Sequence, residues 1–277
     1  MTQWQGCVKL NYAVDHQQTH LRSAYSRAPL RIQRPFYPES PQVCHSVLVH
    51  TAGGMVGGDR LDLDVTLQPQ AHTLLTTSAA GKVYRTQGQT VQQSLRVTLE
   101  EQSILEWLPQ ETIVFEGAQF DQQTHVDLGS GALWVGMDLF RFGRTARGEG
   151  FTTGHWRSRT EVWQQGHPLW IDRAQFSPAM VQSPTVLANY CVMGSLAVVG
   201  TVFAKEAINQ IREACLPQLP VDHQIGMTRL QAGVICRYLG HSTHQGRSYF
   251  LKIWENLRQS YAGRGICIPR VWQVLVS

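Results

Sequence analysis

Three glutamates lie at intervals of five residues, Glu106, Glu111 and Glu116, around the apolar stretch Thr112–Phe115. Paired carboxylates across a cleft are what glycoside hydrolysis requires. The commoner role of such residues is as ordinary surface charges, because acidic side chains are mostly exposed. A second cluster is Gly53-Gly54-Met55-Val56-Gly57-Gly58, followed by Asp59. Four glycines in six positions permit a sharp turn and the close approach of another chain or ligand. A nucleotide-phosphate loop is excluded, since it needs Gly-Lys followed by Ser or Thr, and Asp59-Arg60 stands there instead. The dinucleotide fingerprint is also absent, with Met55 where its second glycine belongs. Asp59 is the one member that a plain turn does not require, and it reads as a turn cap or a ligand.

Histidines offer a third chemistry. Alternation on a strand over 43–50 places Cys44 and His50 on one face and His45 on the other, while His241 and His244 flank a later loop. None of these sets closes a metal cage. Imidazole, thiolate and carboxylate together would suit a borderline divalent ion such as nickel. No Cys-x-x-Cys pair occurs among the six cysteines, so reduced, packed thiols are expected and a structural zinc site is not. No nucleophile elbow is present.

The elements that must position these groups are mainly strands. Leu61, Leu63, Val65 and Leu67 alternate with Asp62, Asp64 and Thr66, and Leu95, Val97 and Leu99 repeat the pattern. Strands are expected at 43–50, 72–77, 91–99, 103–108, 112–116, 123–128, 132–142, 155–164 and 168–173, and from Val234 to Leu239. The apolar run Tyr190–Ala204 reads as a buried strand pair or core element and is too short to span a membrane. A helix is expected over Lys205–Cys215, closed by Pro217. A second is expected over Arg247–Ala262, ending at Gly263, with Phe250, Ile253, Trp254, Leu257 and Tyr261 on one face that packs on the sheet. No fixed internal period emerges, which disfavours a regular repeat protein. No Pro-, Gly- or Ser-rich linker divides the 277 residues, so a single domain over 1–277 is expected.

With 43% hydrophobic and 16% charged residues the chain is a folding one. A net charge of +4 without a basic stripe argues against nucleic acid. The N-terminal residues do not read as a secretory signal, so a soluble, cytoplasmic protein with no membrane partner is expected.

Several blocks occur in a specific order: Gln33-Arg34-Pro35-Phe36-Tyr37-Pro38-Glu39, Cys44-His45, His50 to Asp59, Thr76 to Arg85, Leu105 to Glu111 and Phe115 to Ala118. Gly143 to Glu149, Thr228-Arg229-Leu230, Arg237 to Gly240 and Pro269-Arg270-Val271-Trp272 complete it. In this ordered set the chain resembles the urease accessory protein family UreD, named UreH in some lineages. Two departures are Thr51-Ala52, where the family often carries prolines, and Asp138 in place of a more usual Glu.

The resemblance implies a mostly β fold, an irregular β-helix-like stack of short strands with two C-terminal α-helices. It implies a non-enzymatic urease maturation factor that docks on apo-urease with a UreF-like protein and, through it, a UreG-like GTPase, assisting nickel insertion. No obligatory cofactor is implied, only transient nickel, and a homodimer within the complex is allowed. Along an internal nickel passage the resemblance offers Asp59, Glu111 and Glu116 as metal-contacting candidates and Thr76 and Ser78 as further lining groups. The competing reading from the residues alone is a β-helical carbohydrate-active enzyme using Glu106, Glu111 or Glu116.

Overall fold

A computed structural model describes residues 3–181, 187–216 and 222–275. The chain enters through β1 (Gln5–Asp15), β2 (Gln18–Arg27) and β3 (Leu30–Ile32). Four coils follow, each laying a strand in both of two facing sheets. The first comprises β4 (Val43–His50) and β5 (Arg60–Leu67), and the second β6 (His72–Thr77), β7 (Gly81–Val83) and β8 (Val91–Leu99). The third comprises β9 (Ile104–Trp107), β10 (Thr112–Val114) and β11 (Gln119–Leu128), and the fourth β12 (Leu133–Phe142) and β13 (His155–Gln164). β14 (His167–Phe176), the short α1 (Pro178–Val181) and β15 (Val192–Val199) come next. The chain then forms α2 (Lys205–Cys215), β16 (Gln224–Leu230), β17 (Gly233–Gly240) and α3 (Thr243–Ala262).

Within each sheet the coil strands run parallel. In one sheet Val43 pairs with His72, His72 with Ile104 and Ile104 with Leu133, so successive coils advance by 29, 32 and 29 residues. In the other, the steps from Arg60 to Gln92, Val91 to Phe120 and Gln119 to His155 are 32, 29 and 36. The β-solenoid-like stack is therefore real while its period is uneven, which is why no repeat is visible in the sequence. Antiparallel partners finish both sheets: β2 and β14 in the seven-stranded one, β3 and the β15–β17–β16 group in the larger one.

Stacking in register aligns like with like. Leu10, Val65, Val97, Val126 and Val162 are paired neighbours across five strands, and all are buried between the sheets. β-branched side chains suit such a pleated, enclosed surface. The alternation of β5 matches its burial, with leucines and Val65 inside and Asp62, Asp64 and Thr66 half-buried outside.

A second core lies on the outer face of the larger sheet, where α3 covers β12, β15 and β17 and α2 packs against α3 and β16. The stripe Phe250, Ile253, Trp254 and Leu257 is buried there, as the periodicity predicts. α3 begins one turn earlier than predicted. Ser242 caps it by accepting the Gln245 amide at 3.2 Å, and Gly263 ends it at φ 64°. Gly246 hides this first turn from sequence reading, because glycine is a poor helix former. It is needed for contact, since a Cβ there would lie 2.7 Å from the Tyr238 ring. The run from Tyr190 resolves into one strand, β15, and β1, β2 and β16 are strands that the alternation did not announce. Pro217 lies outside the described residues.

Candidate functional site

Alternation along β9 sends Leu105 and Trp107 into the space between the sheets and Glu106 out toward α3. Glu106 is fully buried, so it is neither a surface charge nor half of an open carboxylate pair. It accepts from Arg258 Nε at 2.9 Å and Nη2 at 3.0 Å, from Trp254 Nε1 at 3.2 Å and from the Tyr261 hydroxyl at 2.5 Å. His72 Nε2 stands 3.3 Å away. Burial alone would raise its pKa, but His72 and Arg258 reverse this and hold it well below the glutamate range. The same guanidinium spans to Glu39 at 2.8 and 2.9 Å, and Glu39 meets His45 Nε2 at 2.7 Å. One arginine of α3 thus joins two carboxylates of the β stack.

A second arginine of α3, Arg247, reaches Gln110 and Glu111 and lies 5.0 Å over the Trp272 ring. Trp272 donates Nε1–H to Thr76 Oγ1 at 3.0 Å, and Thr76 donates to the Leu108 carbonyl at 2.6 Å. Both arginines sit on the helix face that sequence reading assigned to apolar packing. The signal for them was present: 247, 254, 258 and 261 share the stripe at helical spacing.

Between the sheets lies a cavity of about 170 Å³. Its rim includes the exposed residues Gly53, Ala79 and Lys82, and its walls include Ser78, Gln110, Gln122, Trp107 and Asp138. Gln110 Nε2 and His50 Nε2 are buried there without hydrogen-bond partners. Burial pushes the His50 imidazole down, against the pull of the Asp59 carboxylate. Asp138 accepts from Gln122 Nε2 at 3.0 Å, tying one sheet to the other. Asp138 is half-buried and lines the cavity. Desolvation, aided by Asp172 and opposed by Gln122, pushes its pKa up to about 6. Asp138 also walls a water-sized cavity of about 20 Å³ with Ser158, Thr160, Asp172, Ser195 and Arg237. It is the residue common to both, among the described ones.

Of the five residues singled out for a passage, Ser78 lines the larger cavity; Asp59, Thr76, Glu111 and Glu116 do not. Asp59 is buried and accepts the amides of Trp4 and Val56, both at 2.9 Å, so it caps the glycine turn at the cavity rim. Glu111 is paired with Arg247. Glu116 accepts the Thr152 amide and the Thr152 and Thr153 hydroxyls, each at 2.7 Å. Burial raises its pKa, and these hydrogen bonds together outweigh that and lower it. Glu106, Glu111 and Glu116 are thus each engaged by different partners and present no facing pair. Gln110, in the loop before β10, and Gln122, on β11, were not singled out by sequence, because an uncharged amide carries no motif.

These features define a class: a coiled, parallel β stack whose carboxylates serve as ties and caps, with a cavity inside whose walls mix leucines and Met55 with a few polar groups. Among the described residues no helix is long and apolar enough to cross a membrane. Comparison with known proteins narrows the class. The family model described as UreD urease accessory protein matches residues 5–273. The urease accessory protein UreD of Acaryochloris marina is 50% identical over 274 residues, covering 98% of this chain and 96% of the relative. That of Nostoc punctiforme is 48% identical with the same coverage, and that of a Janthinobacterium species is 36% identical over 97% and 91%. The chain belongs to the UreD urease accessory protein family, as its ordered blocks indicate, and so has a role in urease maturation.

Proposed function

We propose that the chain is a non-catalytic scaffold that docks on apo-urease together with a UreF-like protein, which brings in a UreG-like GTPase. In the assembled complex it assists GTP-dependent insertion of nickel, which is cargo and not a resident cofactor. The observation that carries this reading is the cavity between the sheets, with oxygen donors scattered along it and Asp138 at its inner end. A transit path needs weak, spaced oxygen ligands, since a tight cage would hold the ion. In this reading nickel enters past Gly53 and Lys82, meets Ser78, passes the Asp138–Gln122 pair and leaves along Ser158, Thr160 and Asp172. Thr76 and Glu111 brace the wall through Trp272 and Arg247, and Asp59 and Glu116 hold the loops at Val56–Asp59 and Thr152–Thr153. The setting is cytoplasmic, and a homodimer within the complex is compatible with it.

Co-expression with a urease operon lacking its own D protein tests the scaffold. Restored nickel-dependent urease activity is the expected result, and soluble protein without rescue would sink the proposal. For the passage, Asp138→Ala should lower nickel loading while the complex still co-purifies. Full loading by that variant would leave the scaffold standing and remove the passage.

A further inference from the structure

Next to the Arg258 network, three side chains with metal-binding atoms converge. Glu39 lies between β3 and β4, His45 lies on β4, and Cys267 lies in the irregular stretch that follows α3. A carboxylate oxygen, an imidazole nitrogen and the thiol sulfur are mutually within 4.8 Å. None of the three lines the cavity between the sheets, so the cluster is separate from the passage. His45 is buried, with one nitrogen on Glu39 at 2.7 Å and the other, Nδ1, without any partner. Burial pushes the Cys267 thiol up, Glu39 adds to this, and Arg258 opposes it.

We infer that Glu39, His45 and Cys267 form a binding site for one borderline divalent cation of the zinc, cobalt or nickel kind. The donor set decides the class. Thiolate and imidazole disfavour magnesium and calcium, which take oxygen ligands, and a nitrogen–oxygen–sulfur set suits borderline ions. Three protein ligands leave one position of a tetrahedron open, which makes exchange with solvent feasible. Metal–ligand bonds of about 2.0–2.3 Å require the donors to close in by about 1 Å. Cys267 can supply that movement because its segment is in neither helix nor strand.

Charge balance points the same way. With His45 and His72 neutral, Glu39 and Glu106 bring two negative charges to the single positive charge of Arg258, and the Glu106 and Arg258 side chains have no exposure. Arg264 stands 3.9 Å from Glu39, one-third exposed and able to turn to water. A buried excess charge is costly unless compensated. A divalent cation on a Cys267 thiolate and a neutral His45 cancels the charge of the buried trio. Glu39 can bridge the cation and Arg258, because each carboxylate oxygen has two acceptor sites. Bound in this way, the cation pins the segment after α3 onto β4.

Cobalt titration of the metal-free full-length chain under reducing conditions tests the site. One equivalent should bind, with a thiolate-to-cobalt charge-transfer band that zinc displaces. Cys267→Ser, at a half-buried position, should keep the circular dichroism spectrum, abolish the band and weaken cobalt binding about tenfold or more, since even outer partners of a ligand contribute 10–100-fold. Glu39→Gln should keep the band with weaker binding. Absence of the band in the unaltered chain would overturn the proposal. So would its persistence in Cys267→Ser, which would assign the band to another thiol, such as the half-buried Cys191, 3.8 Å from His241 Nδ1.

Discussion

Arg258 Nε lies 2.9 Å from Glu106 Oε1, a contact between two fully buried side chains 152 positions apart. It fastens α3 to the β stack, and Glu39 shares the same guanidinium. Breaking one partner of a buried ion pair leaves an uncompensated charge, typically at a cost of about 3–5 kcal/mol. Glu106→Gln should therefore lower the stability measured in urea by that amount, with little change in the denaturant slope. An effect below about 1 kcal/mol would mean that Glu39 alone suffices for Arg258.

Acid should undo the same network. Burial opposes the ionised forms of Glu106 and Glu39, but His72, His45 and Arg258 prevail, and both folded-state pKa values fall below the ordinary value of 4.5. A depressed carboxylate contributes stability that is complete above its unfolded pKa and is lost as pH falls toward the folded one. The contribution of these two carboxylates should hold down to about pH 5 and be lost below about pH 4, lowering the urea midpoint there. The drop should be shallower in Glu106→Gln, which a midpoint series across pH 3–7 would reveal.

Asp138 has the opposite sign. Its pKa of about 6 stands above the ordinary 3.8. A raised acid contributes fully below its unfolded value and loses that contribution as pH rises through the folded one. Asp138→Asn keeps an acceptor for Gln122 and removes the half-buried charge. It should add up to about 3 kcal/mol at pH 8 and almost nothing near pH 4. Equal gains at both pH values would place the effect elsewhere.

The glycine turn at the cavity rim is sterically committed. A Cβ on Gly54 would lie 2.4 Å from Tyr84 Cε2, and the Tyr84 ring is itself packed edge-on against Phe115 at 5.0 Å. Gly54→Ala should cost about 1–3 kcal/mol by overpacking. Gly226→Ala on β16 meets open space and should stay within about 0.5 kcal/mol. Thermal denaturation of the pair would separate a steric cause from a general loss of glycine.

The sequence by itself determined the β character, the inward leucines of β5 and β8, the apolar stripe of α3 and, through the order of its motif blocks, the family. These are local or linear properties. Alternation and helical periodicity depend on neighbours a few residues away, and the motif order needs no folding to be read. Tertiary structure alone decided that Glu106 is buried while Glu116 clasps Thr152 and Thr153, and that Arg247 and Arg258 turn inward. It also decided that Asp138 stands between two cavities, and that Glu39 and Cys267, 228 positions apart, reach the same histidine. Uneven coil steps of 29 to 36 residues are the physical reason. They set which side chains stack across strands, and no spacing in the chain announces them.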